Sequence, residues 1–356
     1  MGEPVLINQA GAGRNQALRT ALALAAVTGR RLVCRGLVDD NPRPRAGLGP
    51  GGLSAVAATA VVTGGSFRAA LGQPEMDVHP GQTRPGEYTF DVAHQRANAA
   101  PLAWLLEPLM LPLALAGQDS SLFLAGGTHV LGGATSEQIG RVLAPDLGLM
   151  GLGLEYVEIA PGFYPAGGGE AEARIEPAAS LRALQAEGPF KPQRVGVDLV
   201  STGLPVHLAE QALAAAQDRL ALHELKAETR LRRARGGAGL ALMVWAEDAQ
   251  GLRVGFPAIG HRGGRPEGLA IEAVEALIAF LHSQAGLPAG LAAFLLAAMA
   301  CARGISRLTV PGLGRELRAA AAAVEAFWPE TVQMFEDARG GPAMLRVIGR
   351  DFGRAV

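Results

Sequence analysis

The sequence predicts an α/β (α+β) protein in which a large domain of three repeated units carries a smaller inserted α/β domain. Three observations lead to this prediction. Helix-like and strand-like segments alternate along the chain, and one pattern recurs three times. The third copy follows the second after an interval about 100 residues longer than expected. At 356 residues, the chain is long enough for two or three domains.

The repeated unit is a helix rich in alanine and leucine, a terminating glycine, a strand, a second helix and a further strand. Glycine suits the position after a helix because it adopts a left-handed backbone at little cost. The first halves of the units read NQALRTALALAAVTGRRLVCRG, APLAWLLEPLMLPLALAGQDSSLFLAGG and GLAAFLLAAMACARGISRLTVPG. The second helices are GGLSAVAATAVV, SEQIGRVLAPDLGLMG and RELRAAAAAVEAFW, and the strands after them are GSFRAAL, LEYVEIAP and TVQMFED. Such alternation predicts sheets covered by helices.

The spacing of the terminating glycines predicts an insertion. Gly117 lies 88 residues after Gly29, whereas Gly304 lies 187 residues after Gly117. The excess equals one small domain. We therefore expect a core domain over residues 1–185 and 286–356 and an inserted domain over 186–285. The insert has its own pattern: strand RVGVDLVS, helix LPVHLAEQALAAAQDRLAL, strands LALMVWAED and LRVGFPAIG, and helix EGLAIEAVEALIAFLHS.

Composition restricts the function classes. A net charge of −1 gives no overall attraction to polyanions, so a nucleic-acid site must be a local patch.

Cys34 and Cys301 lack metal-ligand spacing and are expected to be buried thiols in a reducing compartment. The N-terminus lacks signal-peptide features, and no apolar run reaches about 20 residues, so we expect a cytoplasmic protein. Neither Lys191 nor Lys226 follows a glycine, which excludes a Walker-type phosphate loop.

The stretch PGFYPAGGGE, residues 161–170, is open to three interpretations: a surface turn, a phosphate-binding loop, or the mark of a family. GFYPAGGGE resembles the Gly-rich signature of the RNA 3′-terminal phosphate cyclases, R/H-G-[FY]-[YF]-P-x-G-G-G. Segments similar to other landmarks of that family follow in the same order along nearly the whole chain. They are NQALRTALALAAVTGRRL, RPRAGLGPGGLSAV, LAGGTHVLGGATSEQIGRVLAP, LPVHLAEQ and GHRGGRPEGLAIEAVEAL.

The resemblance implies three repeated units plus one insert. It also implies that ATP, with Mg²⁺ or Mn²⁺, is used to convert an RNA 3′-phosphate into a 2′,3′-cyclic phosphate through an adenylylated histidine. The partner would be an RNA 3′ end. Residues matching the phosphate- and nucleotide-binding positions of the family are Gln16, Arg19, Arg43, Arg45, Tyr164, Pro165, Gly167, Gly168, Gly169 and Arg262. Phe256, or Pro257 by another count, falls where the family stacks the adenine.

The chain departs from the family at the positions that carry the chemistry. Glu316 falls where the nucleophilic histidine is expected. Ala12 and Ala293 stand at positions of a family glutamate and aspartate, and a family glutamine falls near Glu107 or Pro108. No metal-ligand set is predicted. Two hypotheses follow: an ATP-dependent cyclase, or a non-catalytic relative that binds RNA in its processing or repair. A third is a different reaction at the same cleft, because the repeated unit also resembles that of the enolpyruvyl transferases.

Several of these residues also have purely structural interpretations. Arg19 is equally well explained as an ion-paired residue on a buried helix. Tyr164 is explained by packing under its loop. The basic run RLRRARGG, residues 230–237, reads first as a solvated loop, with RNA contact as the alternative. His129, which follows GGT, is the histidine that the motifs place toward the cleft, but it belongs to the second repeat, whereas the family nucleophile belongs to the third. His94 is not favoured as a nucleophile either.

Overall fold

A computed structural model describes residues 3–8, 14–39, 45–92, 99–261, 263–337 and 340–352. The strands within these ranges form four four-stranded sheets and one two-stranded ribbon, with helices packed against the sheets. The predicted mixed α/β class is therefore confirmed. No helix in these ranges has both the length and the apolar character needed to cross a bilayer.

The first unit covers residues 5–79. Its sheet has the strand order β1-β2-β6-β5, and the ribbon pairs β3 with β4. The elements are β1 (Val5–Asn8), α1 (Arg14–Thr28), β2 (Leu32–Arg35), β3 (Val38–Asp39), β4 (Arg45–Ala46), α2 (Pro50–Thr63), β5 (Ser66–Arg68) and β6 (Glu75–His79).

The second unit covers residues 87–175 and has the strand order β7-β8-β10-β9. Its second helix changes to a π-helical turn over Ile139–Leu143. The elements are β7 (Glu87–Asp91), α3 (Ala103–Ala114), β8 (Ser120–Gly126), α4 (Ser136–Gln138), α5 (Ala144–Leu149), β9 (Leu154–Ala160) and β10 (Gly169–Ile175).

The third sheet joins chain segments on either side of the fourth. The third sheet has the order β11-β16-β18-β17, and the fourth has the order β13-β12-β14-β15. The elements are β11 (Gln185–Ala186), β12 (Arg194–Thr202), α6 (Val206–Ala221), β13 (Glu228–Ala234), β14 (Gly239–Glu247), β15 (Arg253–Ile259), α7 (Pro266–His282), α8 (Ala289–Cys301), β16 (Ile305–Val310), α9 (Arg315–Phe327), β17 (Val332–Phe335) and β18 (Ala343–Ile348).

The three core sheets share one topology. In each, the first two strands are parallel and the last two run antiparallel. The first helix of the unit lies between the two parallel strands in the chain, and in the third unit the fourth sheet and its helices lie there as well. Each unit therefore contains a leading strand and a fourth strand that the sequence pattern did not predict. The fourth strand of unit two, GEAEARI, alternates buried alanines with glutamates, and neither residue type favours strands. Its position between β8 and β9 depends on tertiary packing.

The first helices of the three units, α1, α3 and α8, contact one another, and α9 packs on α1 and α8. Helix α8 is apolar on all sides, as expected for a helix surrounded by protein. Helix α3 is buried along its whole length although it contains Pro108 and Pro112. Polar side chains on these helices therefore lie inside the protein, where each requires a partner.

The basic run at residues 230–237 is not a loop throughout, which corrects the first interpretation of it. Residues 230–234 belong to β13, which pairs in parallel with β12 along its full length. Arg232 points toward the second unit and forms ion pairs with Glu137 and Glu158. Alternating basic side chains on an edge strand resemble a charged loop in sequence, because one face of such a strand stays in water.

The fourth sheet is attached to the second unit by polar contacts. Arg141, in the π-helical turn, pairs with Asp198 of β12 at 3.0 Å. The backbone N–H of Arg253 donates to Asp146 Oδ1 at 2.9 Å, and Arg253 Nη1 donates to the carbonyl of Arg141 at 3.0 Å. Asp146 is fully buried, and its Oδ2 has no hydrogen-bond partner among the described residues. Burial raises the pKa of Asp146 well above its usual value, and the Arg253 N–H only partly offsets this shift.

Asp146→Asn tests this buried carboxyl. The folded protein holds the Asp146 proton to a higher pH than the unfolded chain does. Stability from this group is therefore greatest below the unfolded pKa and falls as pH rises toward the folded pKa. The asparagine variant cannot ionise, so its free energy of unfolding should rise relative to that of the wild type as the pH increases above about 4, the usual pKa of an aspartate. Urea denaturation at several pH values measures this difference. A parallel pH dependence of the free energy of unfolding for Asp146→Asn and the wild type would contradict this prediction.

Candidate functional site

Polar side chains from the three units meet where α1, α3 and α8 converge. Arg19 Nε donates to Glu107 Oε2 at 2.6 Å, and Arg19 Nη2 donates to Gln16 Oε1 at 2.6 Å. Gln16 Nε2 donates to Glu107 Oε1 and lies 3.5 Å from the carbonyl oxygen of Ala293. Gln16, Arg19 and Glu107 are each at most 8% exposed. We call Gln16, Arg19, Glu107, Ala293 and Glu316 the helix cluster.

The guanidinium of Arg19 can donate a further hydrogen bond to an additional acceptor. Its guanidinium lies over the Trp104 ring, 5.1 Å from the ring centroid. Its Nη1 is buried and has no hydrogen-bond partner within the described chain. A buried guanidinium nitrogen without an acceptor is costly, and phosphate oxygens are well matched to the planar donors of arginine. The helix cluster therefore has the chemistry to hold an anion.

Glu107 controls the charge of the cluster. Burial raises the pKa of Glu107, the charge and hydrogen bond of Arg19 and the hydrogen bond of Gln16 oppose the shift, and the charge of Glu316 adds to it. When ionised, Glu107 neutralises Arg19. This pair agrees with the ion-paired interpretation of Arg19, and a ligand for Arg19 must compete with Glu107.

Glu316, an exposed glutamate, occupies the position where the family resemblance implies the nucleophilic histidine. Glu316 lies in the first turn of α9 and is close enough to Glu107 to influence its pKa. Its Oε2 also faces the first turn of α8 at Gly290. Glu316 and Ala293 therefore both lie at the helix cluster, whereas Ala12 lies outside the described residues.

The Gly-rich loop has an exposed tip and a buried base. Tyr164, Pro165 and Gly168 are exposed, and the Tyr164–Pro165 peptide is cis. Gly167 and Gly168 adopt positive φ angles of 64° and 71°, which glycine accepts without strain. The Gly167 N–H donates to the carbonyl of residue 163 at 2.8 Å, closing the turn. A Cβ on Gly169 would lie 2.7 Å from the Thr128 methyl carbon, so that position also requires glycine.

The Gly-rich loop and the helix cluster pack against different parts of the protein. Phe163, at the base of the loop, packs against Gly239 of β14 and stacks on His129 with ring centroids 4.8 Å apart. The segment after β8 leads from this base toward α3, where Trp104 Nε1 donates to the carbonyl of Gly132 at 2.8 Å. Trp104 thus links the loop side of the molecule to Arg19.

The remaining predicted residues are distributed around the molecule. Arg45 is exposed on β4, opposite Asp39, and Asp39 Oδ1 lies 3.5 Å from Nδ2 of Asn15 on α1. Arg45 therefore lies near the start of α1. Phe256 on β15 packs against Phe280 of α7, with ring centroids 5.6 Å apart. The predictions for Arg43 and Arg262, and the remark on His94, concern residues outside the described ranges.

A second polar cluster, which sequence reasoning did not assemble, lies beneath the Gly-rich loop. His129 is fully buried, with Nε2 2.6 Å from Glu137 Oε2 and Nδ1 3.4 Å from Glu158 Oε1. Arg232 pairs with both carboxylates. Burial alone would raise the pKa of Glu137, but His129 and Arg232 hold it below its usual value. We call these four residues the His129 cluster. Its members lie on four separate segments, and the only sequence signal was the unusual histidine after GGT.

The helix cluster does not fit the divalent ion that the resemblance implies. In the described part of the chain it offers the carboxylates of Glu107 and Glu316, and both oxygens of Glu107 already accept hydrogen bonds. The one group of three or more potential ligand side chains among the described residues is His129, Glu137 and Glu158. We therefore derive no step through a metal ion at the helix cluster.

Comparisons with known proteins agree with this architecture. A family model described as RNA 3′-terminal phosphate cyclase matches residues 10–334. A protein of that name from Trichormus variabilis is 33% identical over 322 residues, covering 89% of this chain and 92% of the relative. The Caldivirga maquilingensis protein is 30% identical, covering 86% and 87%. The Salmonella agona protein is 32% identical, covering 92% and 93%. The chain therefore belongs to the RNA 3′-terminal phosphate cyclase family.

Proposed function

We propose that this protein binds the phosphorylated 3′ end of RNA. One observation supports this most directly: the helix cluster contains a buried arginine, Arg19, whose Nη1 has no acceptor among the described residues. The relatives that match nearly the whole chain are named for the same RNA end. A terminal phosphate at Arg19 would supply the missing acceptor and replace part of the interaction with Glu107. The cytoplasmic location predicted from the sequence remains a prediction.

The first candidate reaction is the ATP-dependent conversion of the 3′-phosphate into a 2′,3′-cyclic phosphate. It is favoured by the names of the relatives, which are 30–33% identical over most of their length. In this case ATP and Mg²⁺ or Mn²⁺ would be required, and the protein would be a ligase that forms a phosphoric ester.

The second candidate function is non-catalytic binding of RNA ends during RNA processing or repair. It is favoured by Glu316, because a carboxylate at that position repels the phosphates of ATP, where a neutral imidazole would attack one. The geometry of the described residues favours this second function over the first.

One assay separates the two candidates. The protein is incubated with α-labelled ATP, Mg²⁺ or Mn²⁺ and a 3′-phosphorylated RNA, and both covalent AMP transfer and cyclised RNA ends are measured. The non-catalytic function predicts neither product. It also predicts RNA binding that is weakened by Arg45→Ala but not by Arg68→Ala, which changes another exposed arginine, on β5. An AMP adduct together with cyclised ends would contradict the non-catalytic function and establish the first candidate.

Glu107→Gln tests the anion site itself. The glutamine keeps the shape of the side chain but leaves the Arg19 charge without a counterion. We expect the free energy of unfolding to fall by about 3 kcal/mol in the absence of anions, because one partner of a buried ion pair is lost. Inorganic phosphate should then raise the melting temperature more in the variant than in the wild type.

Differential scanning calorimetry across a phosphate series measures both effects. Glu75→Gln, which removes a carboxylate that is 65% exposed, serves as the matched control. If phosphate stabilises Glu107→Gln no more than it stabilises the wild type and this control, Arg19 is not an anion site.

A further inference from the structure

We propose that His129, Glu137 and Glu158 form a binding site for one divalent transition-metal ion of the zinc class, separate from the helix cluster. One ligand atom from each residue can be chosen so that all three atoms lie within 4.8 Å of one another. The shortest separation is 2.6 Å, between His129 Nε2 and Glu137 Oε2. Zinc binds imidazole nitrogen and carboxylate oxygen at about 2.0–2.2 Å, which places tetrahedral ligand atoms about 3.4 Å apart. One ion therefore fits between the three groups once Glu137 moves away from His129 Nε2 and the most distant carboxylate oxygen moves inward, each by about 1 Å.

An unpartnered oxygen points independently to a missing cation. Glu158 Oε1 is buried and makes no hydrogen bond to any described residue. It faces His129 Nδ1 at 3.4 Å, a nitrogen that already lies 2.9 Å from Thr128 Oγ1. A buried carboxylate oxygen without a donor or cation is costly. The charges of the cluster also favour a cation. Glu137 and Glu158 together carry two negative charges when ionised, and Arg232 supplies one positive charge.

The imidazole is held in position for metal binding. Thr128 Oγ1 lies 2.9 Å from His129 Nδ1 and accepts a hydrogen bond from the Gly162 N–H at 2.8 Å. Phe163 stacks on a face of the imidazole ring, with the ring centroids 4.8 Å apart. A metal-ligating histidine commonly donates its second N–H to such an oxygen, which fixes the ring orientation. We therefore assign the metal to Nε2 and the proton to Nδ1. Because Glu158 Oε1 lies nearest Nδ1, metal binding requires the Glu158 carboxylate to turn toward Nε2.

A cavity leads to the site, and the Arg232 side chain competes with a metal ion for the two carboxylates. A cavity of about 330 Å³ lies between the second unit and β12–β13, and its walls include Glu137, Glu158 and Arg232. The Arg232 side chain is 29% exposed, so it can move into this cavity while the two carboxylates stay in place. An incoming cation must displace it. Arg232 and the metal ion thus compete for the same oxygens.

The ligand set selects the class of metal. One imidazole nitrogen and two carboxylate oxygens leave a fourth tetrahedral position for water, as zinc accepts. Calcium takes six to eight oxygen ligands, and magnesium keeps octahedral oxygen coordination, so neither suits a site with an imidazole and two carboxylates.

The experiment is isothermal titration of chelator-treated full-length protein with ZnCl₂, together with Co²⁺ absorption spectra that report tetrahedral coordination. We expect one zinc ion per chain. His129→Asn and Glu158→Gln should each weaken binding at least about 10-fold, since each removes a ligand. Glu155→Gln, on the same strand β9 but 66% exposed, should leave binding unchanged.

Arg232→Ala gives a result that a merely structural role cannot imitate. Removing the competing cation should tighten zinc binding and should make the melting temperature more responsive to zinc than that of the wild type. This readout remains informative if the His129 variant fails to fold. The proposal is overturned if the wild type shows no saturable binding of one zinc ion, if folded His129→Asn and Glu158→Gln bind zinc as the wild type does, or if Arg232→Ala weakens binding.

Discussion

The buried ion pair between Arg19 and Glu107 is the interaction on which the centre of this molecule depends. Two ionised groups are removed from water among helices built largely of alanine and leucine. Neither charge is tolerable there without the other, because an isolated buried charge costs several kcal/mol. The pair fixes the relative position of α1 and α3, and Gln16 extends it to the carbonyl of Ala293 on α8. Any ligand that reaches Arg19 must offer a negative charge in place of Glu107.

The repeated topology explains why these side chains meet. Each core unit runs strand, helix, strand, helix, strand, strand, and the first helix of each unit packs against the first helices of the other two. One site therefore receives residues from three distant parts of the chain. Relative to the pattern implied by the family, a carboxylate is present at Glu107, while Ala293 offers none. The second carboxylate, Glu316, comes from the second helix of the third unit. The charges at this site are arranged to hold one buried arginine rather than to surround a metal ion.

The sequence predicted the fold class and the family because these depend on local signals: glycines that end helices, apolar runs, and the GFYPAGGGE segment. It did not predict β10 or β13, whose glutamates and arginines look like surface loops until neighbouring strands are known. It placed Gln16 and Arg19 in a functional segment but could not show that Glu107 is their partner, because the contact spans 91 and 88 residues. The His129 cluster was missed for the same reason: its residues come from four segments, one of them in the fourth sheet. Sequence periodicity reports burial and does not report which buried polar groups meet.

Recognition of the terminal phosphate of RNA by Arg19 can be measured with RNA alone. The most direct measurement compares the affinities of two RNAs of identical sequence, one ending in a 3′-phosphate and one in a 3′-hydroxyl, by fluorescence anisotropy at fixed salt concentration without ATP. The account predicts tighter binding of the phosphorylated RNA, by about 10-fold or more for a charge-assisted contact, and loss of this preference in Arg19→Gln. Equal affinities for the two ends in the wild type, or an undiminished preference in a folded Arg19→Gln variant, would contradict it.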